Sequence, residues 1–281
     1  MKEFTTRTIT GLLYVGIIIG VILYDSVSFQ GLILVITILC LSEFYRLITN
    51  NPSKKILYAD IAGGTYLAGG LFFLASYSGT LPAAAVVLTF MPYFLYLIYS
   101  FIIRLYLKEE NPIASWGNSL LGQIYIALPL GMLSFIAYPL IGNTMYHKWL
   151  IIAFFSFIWL NDTGAYLVGC TLGRHRLFER ISPKKSWEGF FGGLLFCLIA
   201  GGCWYRFYPM MLNLYEWLNM GIVISVFATF GDLCESLIKR TLKVKDSGTM
   251  LPGHGGMLDR LDSVFIAAPA TVVYLILIFA R

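Results

Sequence analysis

DSVFIAAPATVVYLILIFA, residues 262–280, holds one charged side chain, Asp262, in an otherwise apolar run. A helix needs roughly 20 such residues to cross a hydrocarbon core about 30 Å thick. Eight more apolar segments precede this one, at about 9–24, 29–48, 56–77, 82–107, 114–141, 148–170, 187–208 and 213–238. In lipid every backbone polar group must find its partner within the protein, so runs of this kind form helices. The expected fold is all-α, a polytopic integral membrane protein of about nine transmembrane helices. The first segment is short and the fourth and fifth are long, which implies tilt or kinks. Pro92, Pro129 and Pro139 are the kink candidates.

Composition agrees with this reading. The 281 residues are 58% hydrophobic and only 12% charged, against about 25% in soluble domains. No polar stretch is long enough for a soluble domain, so residues 1–281 read as one transmembrane domain. Within it, residues 1–141 are expected to serve as scaffold and dimerisation helices, and residues 142–281 as catalytic helices and loops. With nine spans, every Lys and Arg except Lys148, Arg206 and Arg281 falls on the side of the N-terminus. The positive-inside rule puts that side in the cytoplasm. The net charge of +5 therefore reflects topology, not nucleic-acid binding. Lys2 and Arg7 precede the first apolar segment without a small-x-small cleavage pattern, which reads as a retained helix. The five cysteines form no C-x-x-C pair and read as buried hydrophobes. Paired glycines such as Gly192-Gly193 and Gly201-Gly202 suit close helix packing.

Three polar constellations interrupt this pattern, all in the C-terminal half. In WLNDTGAY (159–166), Asp162 lies inside an apolar segment, with Tyr166 one turn on along the same face. A carboxylate there must meet a partner or a wet cavity. Next come Arg174, Arg176 and Arg180, which suit anionic headgroups, and then SPKKSWEG (182–189). Ser182-Pro183 reads as a helix N-cap and first turn, with Lys184 and Lys185 beside it for a phosphate.

The densest run is SLIKRTLKVKDSGTMLPGHGGMLDRLD, Ser236 to Asp262. Eight ionised side chains fall in these 27 residues: Lys239, Arg240, Lys243, Lys245, Asp246, Asp259, Arg260 and Asp262. Asp232, Ser236 and Lys239 step along one helix face just before and into it. A tight turn can bring Asp232 and Asp259 together, and two adjacent carboxylates repel unless a cation sits between them. A hard ion such as Mg²⁺ suits one or two carboxylates plus substrate phosphates. Gly253, Gly255 and Gly256 let backbone N–H groups approach phosphate oxygens. The string is not a phosphate-binding P-loop, since no Gly-Lys pair occurs, and His254 is isolated, which argues against zinc.

These residues resemble the signature of the phosphatidate cytidylyltransferases (CDP-diacylglycerol synthases). Ser236, Lys239-Arg240, Lys245-Asp246, Gly248, Pro252, His254-Gly255-Gly256 and Asp259-Arg260-x-Asp262 fill that pattern without departure. Asp162 in NDTGAY, Ser182 to Gly189, and Gly231-Asp232 extend the resemblance. It implies transfer of CMP from CTP to phosphatidate, giving CDP-diacylglycerol and pyrophosphate for phospholipid biosynthesis. It implies Mg²⁺ at Asp232 and Asp259, with room for a monovalent cation such as K⁺ beside it. It implies a homodimer in the inner, cytoplasmic membrane with its site on the cytoplasmic face. The catalytic residues would be Asp232, Lys239, Arg240, Lys245, Asp246, Asp259, Arg260 and Asp262. Substrate would be held by Asp162, Lys184, Lys185, Ser186, Ser236, His254, Gly255 and Gly256. Two alternatives stand beside it: the same chemistry on another lipid phosphate, and a transporter of anionic solutes. A transporter should carry midplane charge and an internal repeat, and this sequence shows neither by eye.

Overall fold

The structure is a computed structural model that describes residues 2–49, 53–77, 81–107, 109, 111–139, 144–248 and 255–279, with side chains from residue 10 onward. Helices dominate: α1 (Lys2–Tyr24), α2 (Ser26–Ile48), α3 (Lys54–Ser76), α4 (Ala83–Leu107), α5 (Pro112–Gly122), α6 (Leu128–Ala137), α7 (Lys148–Leu172), α8 (Trp187–Phe207), α9 (Leu214–Thr241) and α10 (Asp262–Phe279). Among the described residues, eight helices are long and apolar enough to cross a membrane, α5 and α6 counting as one span, and the apolar stretch Thr10–Tyr24 of α1 is a shorter ninth. Each apolar segment expected from the sequence corresponds to one of these spans, the fifth being broken into α5 and α6. His254 lies outside the described residues.

Two compact units make up the chain, Met1–Tyr146 with Asp246–Arg260, and His147–Lys245 with Leu261–Arg281. In the first unit α3 packs on α2, α4 and α6, around a core that includes Leu41, Phe44, Ile126, Leu130 and Leu133. The kink expected at Pro129 takes the form of a widened turn. Residues Gln123–Ala127 are π-helical, and the Leu128 N–H reaches back five residues to the Gln123 carbonyl. Pro129 has no N–H and its ring would crowd the carbonyl one turn back, so a local widening relieves the clash.

Arg104, near the end of the segment expected at 82–107, sits in the last turn of α4 and is 3% exposed. Its guanidinium donates to the Ser115 Oγ at 2.9 Å and to the Ser100 carbonyl and Oγ, both at 2.7 Å, and lies 3.8 Å from the Asp60 carboxylate. Asp60 also accepts from Tyr96 at 2.9 Å and from Ser119. Burying such a pair is tolerable only when the remaining donors and acceptors are met, which the serines accomplish.

In the second unit α8 packs between α7 and α9, and α9 packs on α10. The α7–α8 contact depends on missing side chains. A Cβ on Gly192 would lie 2.5 Å from Val168 and 2.9 Å from the Gly164 carbonyl. Only one glycine of the Gly201-Gly202 pair works this way, since Gly201 faces Trp217 and Gly202 faces open space.

Between α7 and α8 lies a two-stranded antiparallel hairpin, β1 (Arg176–Phe178) and β2 (Ser182–Ser186). This corrects the expectation of a helix start at Ser182-Pro183. Pro183 lacks an N–H, and that suits an edge-strand position as well as a first helical turn. The true cap is Ser186, whose Oγ accepts from the Gly189 N–H at 3.1 Å, so α8 starts at Trp187.

Candidate functional site

The second unit gathers most of the residues singled out above. Asp162 and Tyr166 come from α7, Lys184, Lys185 and Ser186 from β2, and Asp232 from α9. These six line one cavity of about 360 Å³, whose remaining wall is largely apolar and includes Phe190 and Ala228. Lys185 Nζ forms an ion pair with the Asp232 carboxylate. The other oxygen of Asp232 accepts from Ser236 at 3.2 Å, the one-turn spacing expected from the sequence. Asp262, first residue of α10, lies in electrostatic range of Asp232, Asp162 and Lys185. Three carboxylates, Asp162, Asp232 and Asp262, thus gather near two ammonium groups, Lys184 and Lys185, of which Lys185 is already paired.

Local folding explains why Lys184 and Lys185 reach this cavity. The hairpin carries them, and Glu188 in the first turn of α8 fixes the hairpin's base. Its carboxylate accepts the Arg174 N–H at 3.1 Å and the His175 N–H at 3.2 Å, and meets the His175 ring at 2.6 Å. Arg240 Nε reaches the Ile181 carbonyl at 3.4 Å, so it contacts the hairpin turn. Lys239 is paired with Glu235 at 3.2 Å. Lys245 is exposed at the end of this unit's first segment.

The first unit holds the rest of the signature. Asp259 sits in a 3₁₀ turn, Leu258–Arg260. Its Oδ2 accepts from the Ser247 N–H at 2.9 Å, the Ser247 Oγ at 3.0 Å and the Gly256 N–H at 2.9 Å. Gly255 has φ +81°, the left-handed region that glycine occupies without strain, and any Cβ there would strike the Asp259 carboxylate at 2.6 Å. Asp246 and Arg260 are exposed in the same unit. Asp232 and Asp259 therefore belong to different units.

A divalent metal is the group the resemblance implies, and the donor chemistry fits it. Asp162, Asp232 and Asp262 offer hard carboxylate oxygens in excess of the local positive charge, as Mg²⁺ requires. Among the described residues no three His, Cys, Asp or Glu side chains form a metal cluster by themselves.

Sequence reasoning passed over Glu235 and Glu43 here. Glu235 is fully buried in α9 and pairs with Lys239. Asn161 is 3% exposed, and its side-chain oxygen accepts from Ser225 at 2.7 Å, tying α7 to α9 beside Asp162. Glu43 in α2 contacts the signature segment directly. The available signal for Glu43 was an ionisable residue near the end of an apolar helix.

Residues 5–278 match the model of the cytidylyltransferase family. Over 122 residues the chain is 46% identical to a protein of Staphylococcus epidermidis named phosphatidate cytidylyltransferase, a match covering 43% of this chain and 47% of that protein. Proteins of the same name from Staphylococcus haemolyticus and Staphylococcus aureus match over 122 residues at 47% and 46% identity, with the same coverage of each chain. The chain spans about half the length of the curated relatives it matches.

Proposed function

The chain belongs to the cytidylyltransferase family, and from that premise we propose that it transfers CMP from CTP to phosphatidate, releasing pyrophosphate and forming CDP-diacylglycerol at the cytoplasmic face of the cell membrane. The observation that carries this reading is the cavity of the second unit. It sets Lys184, Lys185, Asp162 and Asp232 against an apolar wall. A polar side that carries two ammonium groups, set beside carboxylates and facing an apolar side, suits a phosphate attached to acyl chains.

In the reaction a phosphate oxygen of phosphatidate bonds to the α-phosphorus of CTP, and the bond from that phosphorus to the pyrophosphate oxygen breaks. The attacking phosphate is already ionised at neutral pH, so no strong base is needed. Positioning and charge neutralisation supply most of the acceleration. Asp232 holds the Lys185 ammonium at the cavity, where it can meet a phosphate oxygen without reorganising. Lys184, Lys239, Arg240, Lys245 and Arg260 are the further cations proposed to grip the nucleotide and lipid phosphates, and Asp246 and Asp262 to orient them. His254, Gly255, Gly256, Ser186 and Ser236 complete the proposed binding set.

The resemblance assigns Mg²⁺ to Asp232 and Asp259, with a monovalent cation such as K⁺ beside it, and a homodimeric assembly. When bound, the divalent ion neutralises charge on the α-phosphate and the leaving pyrophosphate.

Purified protein in detergent with phosphatidate, CTP and Mg²⁺ should release pyrophosphate, and EDTA should stop the release. ATP or UTP in place of CTP should support far less. Failure to release pyrophosphate with any of several lipid phosphates overturns the enzyme reading.

A further inference from the structure

We infer that Glu43 is a positioning residue, a carboxylate on α2 that holds the signature segment in its working shape. The inference rests on the cytidylyl-transfer reading and goes beyond it, because Glu43 lies far outside the signature in sequence.

Glu43 stands near the end of an apolar helix, Ser26–Ile48, where an ionised side chain is costly unless it is engaged. It is engaged by two backbone amides. Its Oε1 accepts from the Met257 N–H and its Oε2 from the Leu258 N–H, each at 3.0 Å. The two amides stand at the head of the 3₁₀ turn that carries Asp259 and Arg260. Hydrogen bonds to an ionised acceptor are about twice as strong as neutral ones, and two in parallel fix orientation as well as distance.

Two glycines of the segment, Gly248 and Gly256, fit around this carboxylate. A Cβ on Gly256 would lie 2.5 Å from Glu43 Oε2, and one on Gly248 would lie 3.0 Å from Glu43 Oε1. The segment is therefore folded around two carboxylates. Asp259 takes the N–H groups of Ser247 and Gly256, and Glu43 takes those of Met257 and Leu258. These amides engage the protein's own acids, which gives the glycines a role the sequence does not reveal: they admit Glu43. Asp259 and Arg260 inherit their placement from this clasp.

The test uses the full chain in nanodiscs with CTP, Mg²⁺ and phosphatidate, comparing wild type, Glu43→Gln, Gly256→Ala and the neighbouring control Ser42→Ala. Glu43→Gln keeps the volume and loses one acceptor. It should lower kcat about tenfold to a hundredfold while KM for CTP moves less than about twofold. Gly256→Ala disturbs the same contact from the loop side and should give the same kinetic split, even if changes on α2 reduce folded yield. Ser42→Ala should match wild type. Hydrogen exchange of the peptide spanning Met257 and Leu258 should quicken in Glu43→Gln, while peptides from α9 stay protected. Wild-type kcat in Glu43→Gln, or unchanged exchange at Met257 and Leu258, overturns the positioning role. Absence of turnover in the wild type overturns the cytidylyl-transfer reading instead, and the exchange measurement still decides whether Glu43 anchors the segment.

Discussion

Lys185 and Asp232 come from a strand and a helix separated by the whole of α8, and they meet at the wall of one cavity. Replacing Lys185 by Ala removes a cation that needs no reorganisation to meet phosphate. The loss in kcat should be about a hundredfold or more, read as pyrophosphate release. Asp259→Ala strips the acceptor from three donors in the signature segment. It should abolish turnover while the protein still elutes as a folded species in detergent; full activity would refute any role for that carboxylate. Both acids were legible in the chain because dense polar motifs surround them. Glu43 and Asp60 were not, because each is one acid among mostly apolar neighbours and its partner is chosen by tertiary packing. The position of Arg104 at a helix end is visible in sequence, and its burial against Asp60 and three serines is not.

Helices were the easiest elements to anticipate, since nine apolar segments become nine helical stretches. The hairpin between α7 and α8 was hidden because Ser-Pro opens a helix and a strand equally well. The choice fell to Ser186 and Glu188, which cap α8 and fasten the hairpin at once. Ser186→Ala should cost about 1 kcal/mol through loss of the cap, seen as a lower denaturation midpoint. Gly192→Ala should cost about 1–3 kcal/mol by wedging α7 from α8, and it should do so without altering metal dependence. Arg104→Leu leaves Asp60 charged and buried without its counter-ion, at a cost of about 3–5 kcal/mol. Thermal unfolding in detergent separates these three by size.

At the scale of the molecule, charge asymmetry predicts orientation. Arg180, in the hairpin turn, and Met210, which is 93% exposed between α8 and α9, flank a single span. In a background with the native cysteines replaced, a cysteine at position 180 should react with a membrane-impermeant thiol reagent only from the cytoplasm, and one at position 210 only from the opposite side. Labelling of both from one side would break the proposed topology. The membership of one stretch was not legible in sequence. Asp246–Arg260 groups with the N-terminal helices, whereas its neighbours on either side in the chain group with the second unit. The polar run itself is visible in the sequence, and only contacts reveal which helices it joins.

The wide turn at Gln123–Ala127 bears on how this span tolerates changes in length. It accommodates one residue more than a regular helix uses for the same rise. Deleting Ile124, which points outward at 62% exposure, together with Pro129→Leu, should let the turn tighten while Leu130 and Leu133 keep their bearing. A deletion elsewhere in the span would rotate everything downstream by about 100°. Gaps between homologous chains should therefore concentrate at this bulge, which acts as a slack link in an otherwise inextensible rod.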